Sequence, residues 1–336
     1  MAIEKKQPPA VTRVPAKLPR YDELPIDPKY PPKTAWGLFG DGDDVGMFNL
    51  QTPERVARAA RLVKRGAVFS LNWDQTKPYP ALFNRTATRH TIRRDRPFGN
   101  GGDDVLDNFY PQASSQWDGL THVGDFEHGF WGGVTQQQLK ETGDKTRLGI
   151  DHWARRGIAG RAVLLDVARW RESVGRPIDH TKSDLITVAD LEATQAAQGV
   201  AFEPGDVLLI HTGWIDWYET LDTIKRLVLA DASRMRLPGL ECCEAMAEWL
   251  WNRHFCAVVS DLPALESWPP PSFAAPEGFL HQWILGRFGM AIGEMFVLGP
   301  LARDSLADRV YESFLVAAPL HIPGGTGSTA NALALK

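Results

Sequence analysis

Cysteine is scarce in this chain: three occur among 336 residues, Cys242, Cys243 and Cys256, and two of them are adjacent. Adjacent cysteines on one element cannot build a disulfide framework or a zinc knuckle, so a reducing, cytoplasmic setting is expected. An excess of positive charge is also missing, since 37 Lys and Arg face 41 Asp and Glu, a formal charge of −4. Without a positive field, nucleic acid and membrane surfaces are poor partners, and a small molecule is the better one. No stretch approaches the ~18 consecutive apolar residues of a membrane helix. The lysines near the N-terminus are not followed by the apolar run of an export signal.

What the chain does have is an ordinary globular composition, 43% hydrophobic and 23% charged. Eight prolines crowd residues 1–35 (Pro8, Pro9, Pro15, Pro19, Pro25, Pro28, Pro31 and Pro32). Proline neither continues a helix nor donates to an inner strand, so this segment reads as an extended arm suited to wrapping a neighbour, and residues 36–336 as one domain. Thr52-Pro53-Glu54, followed by the stripe Val56, Ala59, Ala60 and Val63, predicts a helix to about Lys64, ended by Gly66. The same logic predicts helices over 151–156, 187–198 (with Asp190 in a capping box) and 240–254, and strands over 162–167, 207–211 and 257–260. The apolar runs AVLLDV and DVLLI suit strands covered on both faces, which points to an α/β layered core.

Between Asn72 and Gly133 the pattern breaks into Pro, Gly, Asn and aromatic residues, the mark of a long functional loop. Within it Asp118, His122 and His128 recur at offsets of four and six in a Gly-rich stretch. Such a loop can aim several side chains at one ion, although the spacing equally suits a solvated loop with locally bonded histidines. A second cluster runs from His281 to Glu294, where Glu294 sits among Ile292, Met295, Phe296 and Val297. A carboxylate there needs a partner, either a divalent ion or an arginine. The acidic run Gly40–Gly46 is no EF-hand, because position twelve from Asp41 is Thr52. His90, flanked by Arg89, Arg93, Arg94 and Arg96, suits either a substrate carboxylate or a solvated rim.

The two clusters together resemble the metal-dependent cyclase family of hydrolases, which includes bacterial kynurenine formamidases and isatin hydrolases. Against its hallmark H-x-G-T-H-x-D-x-P-x-H, Asp118 stands at the first His, Thr121 at the Thr, His122 at the second His, Gly124 at the Asp and His128 at the last His. The stretch Trp117-Asp118-Gly119 through His122 is similar to a divergent branch with a W-D-G-x-x-H motif, and His281 and Glu294 are similar to the later ligands in order and spacing. The likeness extends over Gly160–Asp166, Leu209–Trp214, Ser260-Asp261 and Gly324–Ser328, nearly the whole chain after the arm.

The resemblance implies a swivelling β/β/α fold, a homodimer or larger homo-oligomer, and hydrolysis of an amide, formamide, imide or lactone bond in a small cyclic or aromatic substrate. Asp118, His122, His281 and Glu294 would form a mixed N/O shell for one Zn²⁺ or Mn²⁺, with Asp125 joining only if the loop shifts. Such an ion polarises a carbonyl and lowers the pKa of water from 15.7 to about 7. His128, not needed as a ligand, would shuttle protons. Trp117, Trp131, Trp214 and Trp268, with His211 after the 207–211 strand, would line an apolar pocket. A metal-assisted lyase or dehydratase, and a non-catalytic small-molecule binder, are the alternatives.

Overall fold

The computed structural model describes residues 14–94, 99–142, 147–273 and 278–336, so residues 1–13 of the arm and Arg96 lie outside it. Its strands are β1 (Val68–Ser70), β2 (Arg89–Arg93), β3 (Asp103–Asp107), β4 (Gln116–Asp118), β5 (Ile158–Asp166), β6 (Leu185–Ile186) and β7 (Val207–His211). They continue with β8 (Gly239–Leu240), β9 (Ala257–Ser260), β10 (Ala291–Glu294), β11 (Glu312–Ala317), β12 (Gly327–Thr329) and β13 (Ala332–Leu335). The helices are α1 (Pro53–Ala60), α2 (Gln136–Thr142), α3 (Ile150–Arg156), α4 (Val167–Ser173) and α5 (Val188–Gln198), then α6 (Trp214–Glu219), α7 (Thr223–Ala230), α8 (Glu244–Asn252) and α9 (Gly299–Asp308).

One mixed sheet runs β1-β13-β11-β5-β7-β9-β10-β4-β12. At its centre β5, β7, β9 and β10 are parallel, and their apolar residues are buried on both faces, as the continuous runs require. Antiparallel strands flank this block, β11 beside β5 and β4 beside β10. The α/β layered core expected from the apolar runs is the one observed.

Local signals explain most boundaries. Thr52 accepts the Arg55 N–H at 3.4 Å and starts α1, but Leu62 and Val63 then bond the carbonyls three residues back, so the helix stops at Ala60 rather than Lys64. Thr187 and Asp190 form the reciprocal capping box of α5 at 3.2 and 3.1 Å. The helix expected from Leu240 begins only at Glu244, because Gly239–Leu240 is drawn into a short strand beside β6. Cys242 and Cys243 therefore precede the helix.

The described part of the arm packs on its own chain. Tyr21 is buried against Trp283 and Phe288, and the Pro19 carbonyl accepts from Trp251 Nε1 at 3.0 Å and bonds His254 Nε2 at 2.9 Å. The irregular stretch contains the β2–β3 hairpin, exposed along nearly its whole length, where His90 pairs with Asp104 at 2.7 Å. Asp43 of the acidic run accepts from Val45, Gly46, Asn49 and Trp131, a locally satisfied turn. No helix among the described residues is long and apolar enough to cross a membrane.

Candidate metal centre

Antiparallel register sets Asp118 opposite Ile292 and Gln116 opposite Glu294. Directly opposed residues share a face of the sheet, so two acidic side chains and an amide project together from β4 and β10. The chain leaves β4 through Gly119, whose N–H bonds the Thr326 carbonyl at 2.9 Å and where a Cβ would stand 2.8 Å from that oxygen. A turn closed by His122 N–H on the Gly119 carbonyl, 2.9 Å, then brings His122 back over Asp118. His281 arrives from the far side of the sequence, at the head of a π-helical turn over Gln282–Arg287. Such turns widen a helix locally and are frequent at functional sites.

Asp118, His122 and His281 each offer one ligand atom, and the three atoms lie within 4.8 Å of one another. His122 Nε2 is 3.6 Å from Asp118 Oδ1, and His281 Nε2 is 3.9 Å from Asp118 Oδ2. Ligands that bind one ion at about 2.0–2.2 Å stand only a few ångströms apart, so the donor set and its spacing suit a divalent cation. Glu294 stands beside this trio rather than in it. Its Oε1 is 3.4 Å from His281 Nε2 and accepts from Leu265 N–H at 3.0 Å, while Oε2 accepts from Gln116 at 2.7 Å.

The electrostatics suit a cation as well. Burial, with the negative charge of Asp118 added, pushes the Glu294 carboxyl up to about 7, against the pull of His281. Burial lowers His122, with Asp118 opposing. Burial would lower His281 too, but the carboxylates of Glu266 and Glu294 hold it well above its ordinary value.

Glu266 is fully buried, and both of its oxygens meet His281 Nδ1, at 2.8 and 2.9 Å. A carboxylate only accepts, so Nδ1 carries the proton and Nε2 is turned towards Asp118. Gly239 makes this placement workable: a Cβ there would lie 2.2 Å from the Glu266 carbonyl carbon, and the β8 backbone bonds Leu265 and Ser267 on either side. A carboxylate 15 residues before a histidine carries no spacing signal of its own.

Asp125 is occupied elsewhere. Arg287 Nε donates to it at 2.6 Å, and it caps the N–H groups of Glu127 and His128. The neighbouring Gly124 explains itself sterically, since a Cβ would lie 2.9 Å from the Gly129 carbonyl oxygen. His128 stands 3.7 Å from Glu127 and, with His122, Phe126 and Phe130, lines a cavity of about 490 Å³.

Several expected pocket residues lie elsewhere. Trp117 points to the other face of β4, fully buried against Phe48 and Phe296, with its indole N–H on the Ala330 carbonyl. Trp131 is a core residue bonded to Asp43, and Trp214 stacks on Tyr218 within a second apolar cluster. Strand alternation turns His211 to the face opposite Asp118: its Nδ1 bonds Asp166 at 2.7 Å, beside a separate cavity of about 290 Å³ that His180 also lines. The tryptophan count showed aromatic mass without showing which face each ring takes. Trp268 alone of the five stands on the His281 side, in a row of edge-on rings with Phe83, Phe273 and Phe279. Phe279 stacks on His281, ring centres 4.9 Å apart.

Known proteins share this architecture. A crystal structure described as a novel cyclase is 32% identical, covers 90% of this chain and 99% of its own, and superposes with a TM-score of 0.78. Isatin hydrolase A from Labrenzia aggregata, bound to benzyl benzoate, is 14% identical over 80% of this chain and 93% of its own, with a TM-score of 0.55. Isatin hydrolase A from Ralstonia solanacearum is 17% identical over 84% and 97%, with a TM-score of 0.53. At these identities the likeness to the isatin hydrolases is one of fold. No curated protein matches. A family model described as putative cyclase matches residues 60–267, a span that holds Asp118, His122, His128 and Glu266. With more than half of the chain matched, and a relative 32% identical along nearly all of it, the protein belongs to the putative cyclase family.

Proposed function

We propose that this protein is a metal-dependent hydrolase that opens an amide, formamide, imide or lactone bond in a small cyclic or aromatic substrate. The observation that carries the reading is the convergence of Asp118, His122 and His281 within 4.8 Å, with Glu294 beside His281. These four residues would hold one Zn²⁺ or Mn²⁺, as a cytoplasmic homodimer or larger homo-oligomer. Such an ion supplies a Lewis acid for the carbonyl and an acidic water.

The remaining work falls to the chain. Glu266 holds the His281 ring in one tautomer and one orientation. Gln116 donates to Glu294 at 2.7 Å and to Asp118 at 3.3 Å, so one amide aligns both carboxylates. His128, on the cavity wall with His122, takes a proton from water and returns it to the leaving group. The row of Phe83, Trp268, Phe273 and Phe279 gives a flat substrate an apolar wall beside the centre.

The test is turnover of a panel of lactones, formamides and cyclic imides in ¹⁸O water, with the protein reconstituted with Zn²⁺ or Mn²⁺. Hydrolysis places ¹⁸O in the new carboxylate and stops when the metal is removed. A product formed without ¹⁸O would show an elimination, with His128 as its base, and metal-independent turnover would overturn the reading.

A further inference from the structure

Among the described residues, Arg85 is a cation without an anion. Its guanidinium is partly buried, stands 5.5 Å from the centre of the Phe83 ring and donates to the Gln112 carbonyl, yet it forms no ion pair among the described residues. Arg287, by contrast, is taken up by Asp125. A neutral carbonyl and a ring face compensate only part of the cost of desolvating a guanidinium, so an anion is the missing partner.

Its position is next to the metal centre. Gln112, which holds it, bonds Thr326 Oγ1 at 3.1 Å, and the Thr326 carbonyl accepts the N–H of Gly119, the residue after Asp118. Gly327 pairs with Asp118 itself across β12 and β4, and a Cβ there would lie 2.4 Å from the Gln112 amide. From Phe83 beneath the guanidinium, the aromatic row proceeds to Trp268 (5.1 Å), Phe273 (5.6 Å) and Phe279 (5.2 Å), and ends on His281 (4.9 Å). An unpaired cation thus stands at one end of an apolar wall and a metal-ligating histidine at the other.

We infer that Arg85 anchors an anionic substituent of the substrate, and that the site takes a flat aromatic or heteroaromatic acyl compound bearing a carboxylate, with its ring against the Phe83–Trp268–Phe279 row. The planar guanidinium fork matches a carboxylate in two-point contact, a match that lysine lacks. The choice of the scissile bond rests on the hydrolase reading above; binding of the anion does not.

The experiment is calorimetric titration of the full chain, metal-free and Zn²⁺-loaded, with benzoate and with its neutral isostere benzamide. Wild type is expected to bind benzoate in both forms and more tightly than benzamide. Arg85→Gln should weaken benzoate at least about 10-fold with its melting temperature retained, and Arg85→Lys should fall between the two. Equal benzoate affinity in wild type and Arg85→Gln, or no preference of wild type for benzoate over benzamide, would overturn the inference. The metal-free arm separates Arg85 from coordination of benzoate by zinc. Because this readout needs no turnover, benzoate selectivity without hydrolysis would leave the anion site standing while removing the hydrolase reading, and the converse holds.

Discussion

A single buried carboxylate decides which nitrogen of His281 faces Asp118 and the candidate metal centre. Glu266 has both oxygens on Nδ1 and no exposure to water, so Glu266→Gln removes the charge while keeping the shape. Partners of this kind are worth about 10–100-fold in metal affinity, and competition with a chelator should show a loss of that size; unchanged affinity would remove Glu266 from the account. His128 makes the opposite prediction. It lies outside the converging trio, so His128→Ala should retain its metal while turnover falls by about 10²–10⁴. Loss of metal in step with rate would make it a ligand. Asp118, His122 and His281 were legible in the sequence because ligand-type residues stood close together in glycine-rich stretches. Glu266 and Arg85 were not, since each acquires its role from a neighbour brought up by the fold rather than by the chain.

The loop after β4 packs closely on the π-helical turn after His281, and glycines make room both at that approach and inside the loop. A Cβ on Gly286 would lie 2.5 Å from the Asp125 nitrogen, and one on Gly124 would lie 2.9 Å from the Gly129 oxygen. Installing the hallmark carboxylate by Gly124→Asp should therefore cost about 1–3 kcal/mol through overpacking and create no second metal site, because Arg287 already holds the adjacent Asp125. A lowered melting temperature with unchanged metal stoichiometry is the expected result; a second bound equivalent would contradict it. Period-two alternation explains another difference at this scale. The strand ending at His211 was read correctly from its apolar run, but its face was not, and the register from β10 across β9 to β7 turns His211 away from Asp118. The β2–β3 hairpin went unseen because its exposed strands lack the apolar pattern that marks a core strand.

Across the whole molecule, stability should depend on pH through a carboxyl remote from the metal centre. Asp206 is 2% exposed, and burial pushes it up to about 7 although Arg161 stands 3.3 Å away. A carboxyl raised above its unfolded value of about 3.9 stabilises the fold fully below that pH, and the contribution is lost as pH rises through about 7. A shift of this size corresponds to roughly 4 kcal/mol. Asp206→Asn stays neutral, so its melting temperature should gain on that of wild type between pH 5 and pH 8; a difference independent of pH would contradict the assignment. The arm shows what composition conveys at this scale and what it omits. Its prolines predicted an extended segment, while the surface that residues 14–35 cover became visible only with Tyr21 seated on Trp283 and Phe288.

The central claim is one divalent ion held by Asp118, His122 and His281 with Glu294. The most direct measurement is titration of the metal-free protein with Zn²⁺ or Mn²⁺, following bound metal and hydrolysis in the same samples for wild type and His122→Ala. The account predicts that both signals saturate at one equivalent per chain in wild type, and that His122→Ala loses most of its metal and all of its activity. Full occupancy in His122→Ala, or a requirement for two equivalents in wild type, would contradict it.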